Sequence, residues 1–412
     1  MTTHQLETRC CIAGGGPAGI MLGYLLARAG IEVIVLEKWP DFFRDFRGDT
    51  IHPSTMDILK ELGLLDEFLT LPHSEMERMT IHFGKTEVTV ADLRHVPAAC
   101  KFIAFMPQWD FLTFLATKGK AYPSFHLMME TEVTDLVEEN GRVVGLKAVG
   151  KENGSEEAYE IRADLVVGAD GRHSIVREKG EFKVEELGAP IDVLWFRIGK
   201  SGTDDKQSLG YLNRGAGLIM LDRADYWQCA FIIEKGKYEE VKARGLEAFR
   251  TRIANLAGLS EEVLAEVDSW DKVKFLSVSV DHVQAWAREG LVLIGDAAHA
   301  MSPIGGVGIN YAVQDAVAAA NILIPAFTNE TNAPSLALLQ KIQARRAHPA
   351  LRMQRLQVFI QDKILSPVLH ARGDIRAPWF MYLLTALPIL RRIPARIIGI
   401  GFQPEHVSNR TS

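Results

Sequence analysis

Only four cysteines, Cys10, Cys11, Cys100 and Cys229, occur in 412 residues, and none has metal-ligand spacing. Cys10 and Cys11 are neighbours, which on a strand point to opposite faces. A disulfide framework is therefore not expected, and a reducing, cytoplasmic compartment is. No uninterrupted apolar stretch reaches the ~18–20 residues that span a bilayer, so no transmembrane helix is expected. No leader is expected either, because the apolar run after Arg9 is cut at once by Gly14-Gly15-Gly16. Positive charge is not in excess: 46 Lys plus Arg stand against 52 Asp plus Glu, which excludes a globally basic nucleic-acid binder. Internal repeats and low-complexity tracts are also lacking, and with them a solenoid or fibrous architecture.

What is present has a globular balance, 47% apolar and 24% charged, in a chain long enough for two cores. The charge is unevenly placed. From Lys341 to Ser412 there are 12 Lys/Arg against 3 Asp/Glu, a balance of +9, while the remainder carries −15. Such asymmetry points to an anionic partner for the C-terminal part, or to packing of that part on the acidic remainder.

Cys10 to Ala13 reads as a buried strand, Ile20 to Ala29 as a helix stopped by Gly30, and Ile31 to Glu37 as a second strand, which together make a βαβ unit. Helices are expected from Thr55 to Leu65, behind Pro53-Ser54, and from Gln108 to Lys118. Phe125 to Gly150 reads as a hairpin turned at Asn140-Gly141. Asp164 to Ala169 is a further buried strand. From Glu181 to about Ala285 strand-like runs (Asp192 to Ile198, Gly217 to Leu221, Trp227 to Ile233, Val273 to Val280) lose the strand–helix alternation, and one helix, Tyr238 to Leu256, interrupts them. The fold class expected is α/β: a Rossmann-type domain, an inserted, mostly antiparallel sheet domain and C-terminal helices. Its parts run over 1–72, 104–180 and 286–330, over 73–103 and 181–285, and over 331–412. Leu291 to Gly295 returns to a buried strand, a Gly/Ala-rich helix follows from about Gly308, and Thr328 to Pro334 carries the linker signal.

Gly14, Gly16 and Gly19 fit G-x-G-x-x-G directly after a strand and at the opening of a helix, with Pro17 and Ala18 between them. The first glycine permits the tight turn, the second lets backbone approach a pyrophosphate, and the third permits close helix–strand packing. The N–H groups at the helix start favour phosphate charge. Glu37, with Lys38 beside it, closes the second strand where a carboxylate can accept hydrogen bonds from a ribose hydroxyl. Strand, turn, helix and acidic residue in register indicate a dinucleotide.

Two later segments resemble elements of a known family. Val167 to Arg177, with Asp170-Gly171 inside it, looks like the "DG" element of flavoprotein monooxygenases. Leu293-Ile-Gly295-Asp296-Ala-Ala-His299, leading into Pro303-Ile-Gly305-Gly306-Val-Gly308-Ile309-Asn310, looks like their "GD" element. From Cys10 to Leu323 the chain resembles the para-hydroxybenzoate hydroxylase-like family of single-component FAD monooxygenases. The resemblance implies FAD as cofactor and NADH or NADPH as a transient co-substrate, bound without a Rossmann domain of its own. It also implies oxygen transfer from O2 to a substrate through a flavin C4a-(hydro)peroxide. Asp296 is placed to meet a ribitol hydroxyl, and the glycines from Gly305 open a helix toward the flavin pyrimidine edge, where reduction builds negative charge. Asp170 and Arg177 are as readily structural as cofactor-binding. Arg47, and less directly Arg44, occupy the place of the family's flavin-contacting arginine, and Gln108 matches its glutamine near the FAD ribose. Arg47-Gly48-Asp49 resembles the Arg-Ala-Asp of phenol hydroxylases, which makes Asp49 a candidate base and His52 a candidate relay. Asp49 paired with Arg44 or Arg47, and a capping or solvated His52, are the structural alternatives. His173 and His299 receive no catalytic role.

The activity expected is hydroxylation of an aromatic or other electron-rich apolar molecule. The alternative is a flavin-dependent reductase or hydroxylase acting on a prenyl lipid or quinone at a membrane surface. Inward residues among Trp195-Phe196, Tyr211 and Trp227 are candidates for a roof over the flavin. The segment Pro378 to Leu390, followed by Arg391, Arg392 and Arg396, is apolar and basic and too short to span a bilayer. It leaves two readings open, a monotopic membrane contact or helices packed on the acidic domain or on a homodimer partner.

Overall fold

The computed structural model describes residues 3–43, 50–152, 155–200, 209–329, 333–373 and 375–408. Strand β1 (Thr3–Ala13) becomes fully buried from Cys10 onward and ends at the glycine turn. Helix α1 (Pro17–Arg28) follows, and β2 (Val33–Leu36) returns parallel to β1. Gly14 holds φ +103, and a Cβ there would overlap the Ala169 carbonyl; a Cβ on Gly19 would overlap the Gly14 carbonyl. Those two contacts let α1 lie directly on the sheet, with every residue from Ala18 to Ala27 buried.

Four more strands extend this sheet. In order it runs Ala287–Arg288, β5 (Leu291–Leu293), β4 (Ser155–Gly168), β1, β2, β3 (Phe125–Met128), and the pairs from β5 to β3 are all parallel. A hairpin, Thr131–Glu139 with Arg142–Glu152, pairs antiparallel on the first half of β4. Its turn places Asn140 at φ 50 and Gly141 at φ 78, as an Asn-Gly turn requires. The single hairpin read from Phe125 to Gly150 is corrected on this point: Phe125–Met128 is a separate parallel strand beside β2. Phe125-His-Leu-Met128 is too short for its pattern to distinguish the two roles. Helices α2 (Pro53–Glu61) and α3 (Gln108–Gly119) and the short α4 (Ile175–Lys179) follow their strands.

The second sheet has seven strands drawn from two separated stretches of chain. Their order is Lys274–Ser277, Ile191–Gly199, Tyr226–Glu234, Ala216–Asp222, Gly210–Asn213, Arg78–Phe83, Thr86–Asp92, with one parallel pair, Gly210–Asn213 beside Arg78–Phe83. The helix read from Tyr238 to Leu256 is two helices, Tyr238–Ala243 and α5 (Leu246–Ala257), because Gly245 at φ 90 breaks it. Strand alternation then divides the side chains. Phe196, Phe231 and Leu218 pack with Phe249 and Ile253 of α5, while Val193, Ala230 and Ile232 belong to the cluster on the other side.

The chain returns through α6 (Gly308–Asn329), which packs on α1 and buries Asn310, Gln314 and Asp315 along with its apolar residues. Among the described residues one helical stretch, Ile304–Asn329, is long and apolar enough to cross a membrane, and 78% of its most apolar window lies inside the protein. Helix α7 (Leu336–Ile360) packs on α6. Helices α8 (Trp379–Ala386) and α9 (Arg392–Gly399) lie against Thr86–Asp92 of the second sheet.

Candidate active site

A cavity of about 1310 Å3 begins at the α1 N-terminus and runs between the two sheets to the C-terminal helices. Gly14, Gly15, Gly16, Pro17 and Ala18 form one end. No side chain caps α1, and Pro17 stands at its first position, so the leading N–H groups face open space. A Cβ on Gly16 would meet nothing closer than Ala169 O at 3.9 Å, and one on Gly308 would meet nothing within 4 Å. Both glycines front a void rather than a packed neighbour. Glu37 closes the same end: Gly15 N–H donates to Oε2 at 3.0 Å and Trp39 N–H to Oε1 at 3.1 Å. Lys38 is exposed at the rim and forms a surface pair with Glu132 at 3.7 Å.

Asp170 holds α4. Ser174 Oγ and Val176 N–H donate to its two carboxylate oxygens, and Ser174 in turn caps Arg177 N–H at 2.9 Å. Burial raises the Asp170 pKa. Arg177 points away from the cavity, to Asp281 at 3.3 Å and to the Ala297 carbonyl. Arg172, which the sequence reading did not single out, is the arginine that joins the two later motifs. Its Nε donates to Asp296 Oδ2 at 3.2 Å and its Nη2 to Met301 O at 3.3 Å. Asp296, Pro303, Gly305, Gly306, Gly308 and Ile309 all line the cavity, as does Gln108 at the start of α3.

Gly19, Gly295 and Asn310 stand behind the wall. Asn310 Oδ1 accepts from His52 N–H at 2.9 Å and Thr55 Oγ1 at 2.7 Å, and Thr50 Oγ1 donates to Gly306 O at 2.7 Å. Asn310 thus stitches α2 to α6, and its amide is spent on protein groups rather than on the cavity. Arg44, Arg47 and Asp49 lie outside the described residues.

His52 is fully buried and on the cavity wall. Its Nδ1 lies 2.8 Å from Ile398 O of α9, an acceptor, so the proton sits on Nδ1. Nε2 is then a lone pair, buried and without a hydrogen-bond partner. Burial lowers the pKa to about 4, against a smaller rise from the Ile398 carbonyl, and the ring is neutral at pH 7.

Beyond His52 the walls are mainly apolar, with Val193, Trp195, Ile219, Leu221 and Ile232 from the second sheet and Phe380, Met381 and Leu384 of α8, and with Ser277 and Ser279 among the polar exceptions. Of the aromatics considered for the roof, only Trp195 faces the cavity. Phe196, Tyr211 and Trp227 belong to the cluster under α5, because adjacent strand residues face opposite ways.

Behind the GD element lies a buried charge network that the sequence did not reveal. His299 Nε2 is 2.5 Å from Asp315 Oδ2, which also accepts Gly295 N–H at 3.0 Å; Arg346 Nε donates to Asp315 Oδ1 at 2.9 Å. Arg346 then reaches the Gln403 carbonyl at 3.1 Å and Glu405 at 3.8 Å, and Glu405 pairs with Arg345 at 2.6 Å. Burial alone would pull His299 down, but the Asp315 carboxylate outweighs it and the histidine stands above its usual value. Burial pushes Asp315 up; His299 and Arg346 overcome this and hold it below the usual carboxylate range.

A sequence profile of the FAD binding domain matches residues 7–355. The chain is 30% identical over 395 residues to 6-methylpretetramide 4-monooxygenase of Streptomyces rimosus, covering 95% of this chain and 92% of that protein. It is 25% identical over 337 residues to p-hydroxybenzoate hydroxylase of Acinetobacter baylyi, covering 79% of each. Among solved structures, p-nitrophenol 4-monooxygenase PnpA of Pseudomonas putida superimposes with a TM-score of 0.74 at 18% identity, covering 95% of this chain and 97% of that one.

Proposed function

Because this chain belongs to the FAD binding domain family and is an FAD-dependent monooxygenase using NAD(P)H and O2, we propose that its substrate is an electron-rich molecule on an extended apolar framework, held with a hydroxyl against His52. The cavity fits FAD. Gly14 to Ala18 and the uncapped α1 N-terminus suit the pyrophosphate, Glu37 the adenosine ribose, Asp296 the ribitol, and Gly305 to Ile309 the flavin ring. Bound FAD supplies the redox and oxygen chemistry; the protein orients the substrate, excludes water and handles its proton.

The observation that carries the substrate reading is the buried, unpartnered His52 Nε2 on a mainly apolar wall. An unfilled acceptor there costs about 1–3 kcal/mol, and a substrate O–H donating to it removes that cost. A hydroxyl-free analogue does not. With a pKa near 4 the ring orients the hydroxyl rather than removing its proton. Asp49, from the Arg-Gly-Asp resemblance, is proposed as the base that takes it.

The test is a screen of polycyclic phenols and quinols for stimulated NAD(P)H oxidation, with 18O2 followed into product. Label entering a product of one of these phenols or quinols supports the substrate reading, and no stimulated oxidation and no labelled product from any of them overturns it. Replacing His52 with Leu is expected to lower kcat/KM for the hydroxylated substrate about tenfold relative to its deoxy analogue. An unchanged ratio would reduce His52 to a structural tie.

A further inference from the structure

The wall between the chamber and the outside is one helix pair thick. Phe380, Met381 and Leu384 of α8 and Pro394 and Ile398 of α9 line the chamber. The other side of the pair is bare: Trp379 is 75% exposed, Ile389 64%, Ile393 59% and Leu387 52%. Large apolar side chains this exposed and this close along the chain point to an interaction site. Between Ile375 and Ile400 the chain carries Arg376, Arg391, Arg392 and Arg396 and no acidic residue. Arg392 and Arg396 are exposed and make no ion pair among the described residues.

The charge selects the occupant. A second copy seated on this face would bring its own arginines against these four, and like charges in apposition oppose that contact. An anionic headgroup layer supplies the opposite sign and an acyl boundary for the apolar groups, and Trp379 and Tyr382 are the amphipathic residues such a boundary takes. We propose that the α8–α9 pair docks on an anionic phospholipid bilayer, so that an apolar substrate passes from lipid to chamber through the helix pair; the passage, though not the docking, rests on the substrate reading above.

The test uses the full chain loaded with FAD and phosphatidylcholine vesicles with and without phosphatidylglycerol. Sedimentation with the phosphatidylglycerol vesicles, weak with phosphatidylcholine alone and diminished by salt, is expected. The charge reversals Arg392→Glu and Arg396→Glu together should weaken that binding at least roughly thirtyfold, at about 1 kcal/mol per arginine. Leu387→Asp with Ile389→Asp should abolish it. All four positions lie outside the cavity wall, so FAD content and uncoupled NAD(P)H oxidation stay at the parental level. Brominated lipid should quench the fluorescence of Trp379, a component lost in Trp379→Phe. No sedimentation with the anionic vesicles, binding indifferent to the four substitutions, or a dimer in solution that Leu387→Asp and Ile389→Asp dissolve would each overturn the proposal. Label from 18O2 in product, measured in detergent solution, reports on the substrate reading separately from docking.

Discussion

Replacing Asp315 with Asn tests whether the buried network behind the GD element holds the cofactor end of the cavity together. In the parent one carboxylate receives His299 at 2.5 Å, Arg346 at 2.9 Å and Gly295 N–H at 3.0 Å, and Asp315 and Arg346 are both wholly buried. Asparagine removes the nearer countercharge of the Arg346 guanidinium and leaves only Glu405, at 3.8 Å and shared with Arg345. Removing one partner of a buried pair costs about 3–5 kcal/mol, because the remaining charge is stranded. Unfolding entropy near 2.1 cal/mol/K per residue gives roughly 0.9 kcal/mol/K for this chain length, so the melting temperature should fall by about 3–6 °C. Gly295, at φ 61, directly precedes Asp296, so the same substitution should also speed flavin release. Scanning calorimetry and released-flavin fluorescence read the two effects. Adding Arg346→Met should recover about 1–3 kcal/mol relative to additivity, since it removes the stranded charge. His299 gives a pH arm. Its folded pKa lies above the unfolded value near 6.5, so its ionic contribution is complete below about pH 6.5 and is lost as pH rises through the folded pKa. His299→Asn should therefore cost more at pH 6 than at pH 9. An Asp315→Asn protein that melts within about 1 °C of the parent and keeps its flavin equally well would refute the reasoning.

Three further substitutions separate folding from cofactor binding and chemistry. Gly16 adopts φ −74 and ψ −176, open to any residue, and its Cβ has room, so Gly16→Ala should leave the apoprotein within about 0.5 kcal/mol of the parent while weakening FAD binding; equal loss of both would place Gly16 in the packing instead. Glu37→Ala should raise the FAD dissociation constant about tenfold or more, as loss of a charged hydrogen-bond acceptor implies, and titration with unchanged affinity would remove the ribose assignment. Asp49→Asn should slow product formation with FAD content intact and remove an acid limb from the pH profile of kcat/KM; parallel profiles for mutant and parent would make Asp49 structural.

The cofactor end was the most legible part of the sequence because each of its devices is local. A glycine that must turn, a glycine that must admit a helix and an acidic residue at a strand end all declare themselves within a few residues of one another, and Gly14, Gly19 and Glu37 stand accordingly. The network around Asp315 was not legible for the opposite reason. Its paired members are 16, 31 and 59 or 60 residues apart, and a buried charge on a helix such as α6 looks in sequence like a break in an apolar face. Arg172 was passed over beside Arg177 because the DG element offers two arginines five positions apart, and only the tertiary position of Asp296 chooses between them. The roof aromatics show a third limit. Trp195 and Phe196 are equally apolar, and which of two strand neighbours meets the cavity depends on where α5 packs.

The basic C-terminal stretch, a single +9 in the sequence, resolves into two unlike populations. Arg345 and Arg346 are committed inward: they pair with Glu405 and Asp315, and with them the chain after α9 is drawn back across the FAD domain. Arg352 lies over the Phe402 ring at 4.3 Å and serves the same end. Of these charges Arg346 alone offsets an acidic group of the first domain, Asp315, while Arg345 is balanced by Glu405 within the C-terminal region itself. Arg392 and Arg396 are not so committed; they flank exposed apolar residues on the outside of the chamber wall. Between the two populations sits the Ile398 carbonyl, which fixes the His52 tautomer at 2.8 Å. The tail is therefore joined to the site at two points, His52 through α9 and Gly295 through Asp315. Any displacement of α9 from the body frees Nδ1 of His52, and with it the assignment of Nε2 as the acceptor that meets a substrate hydroxyl.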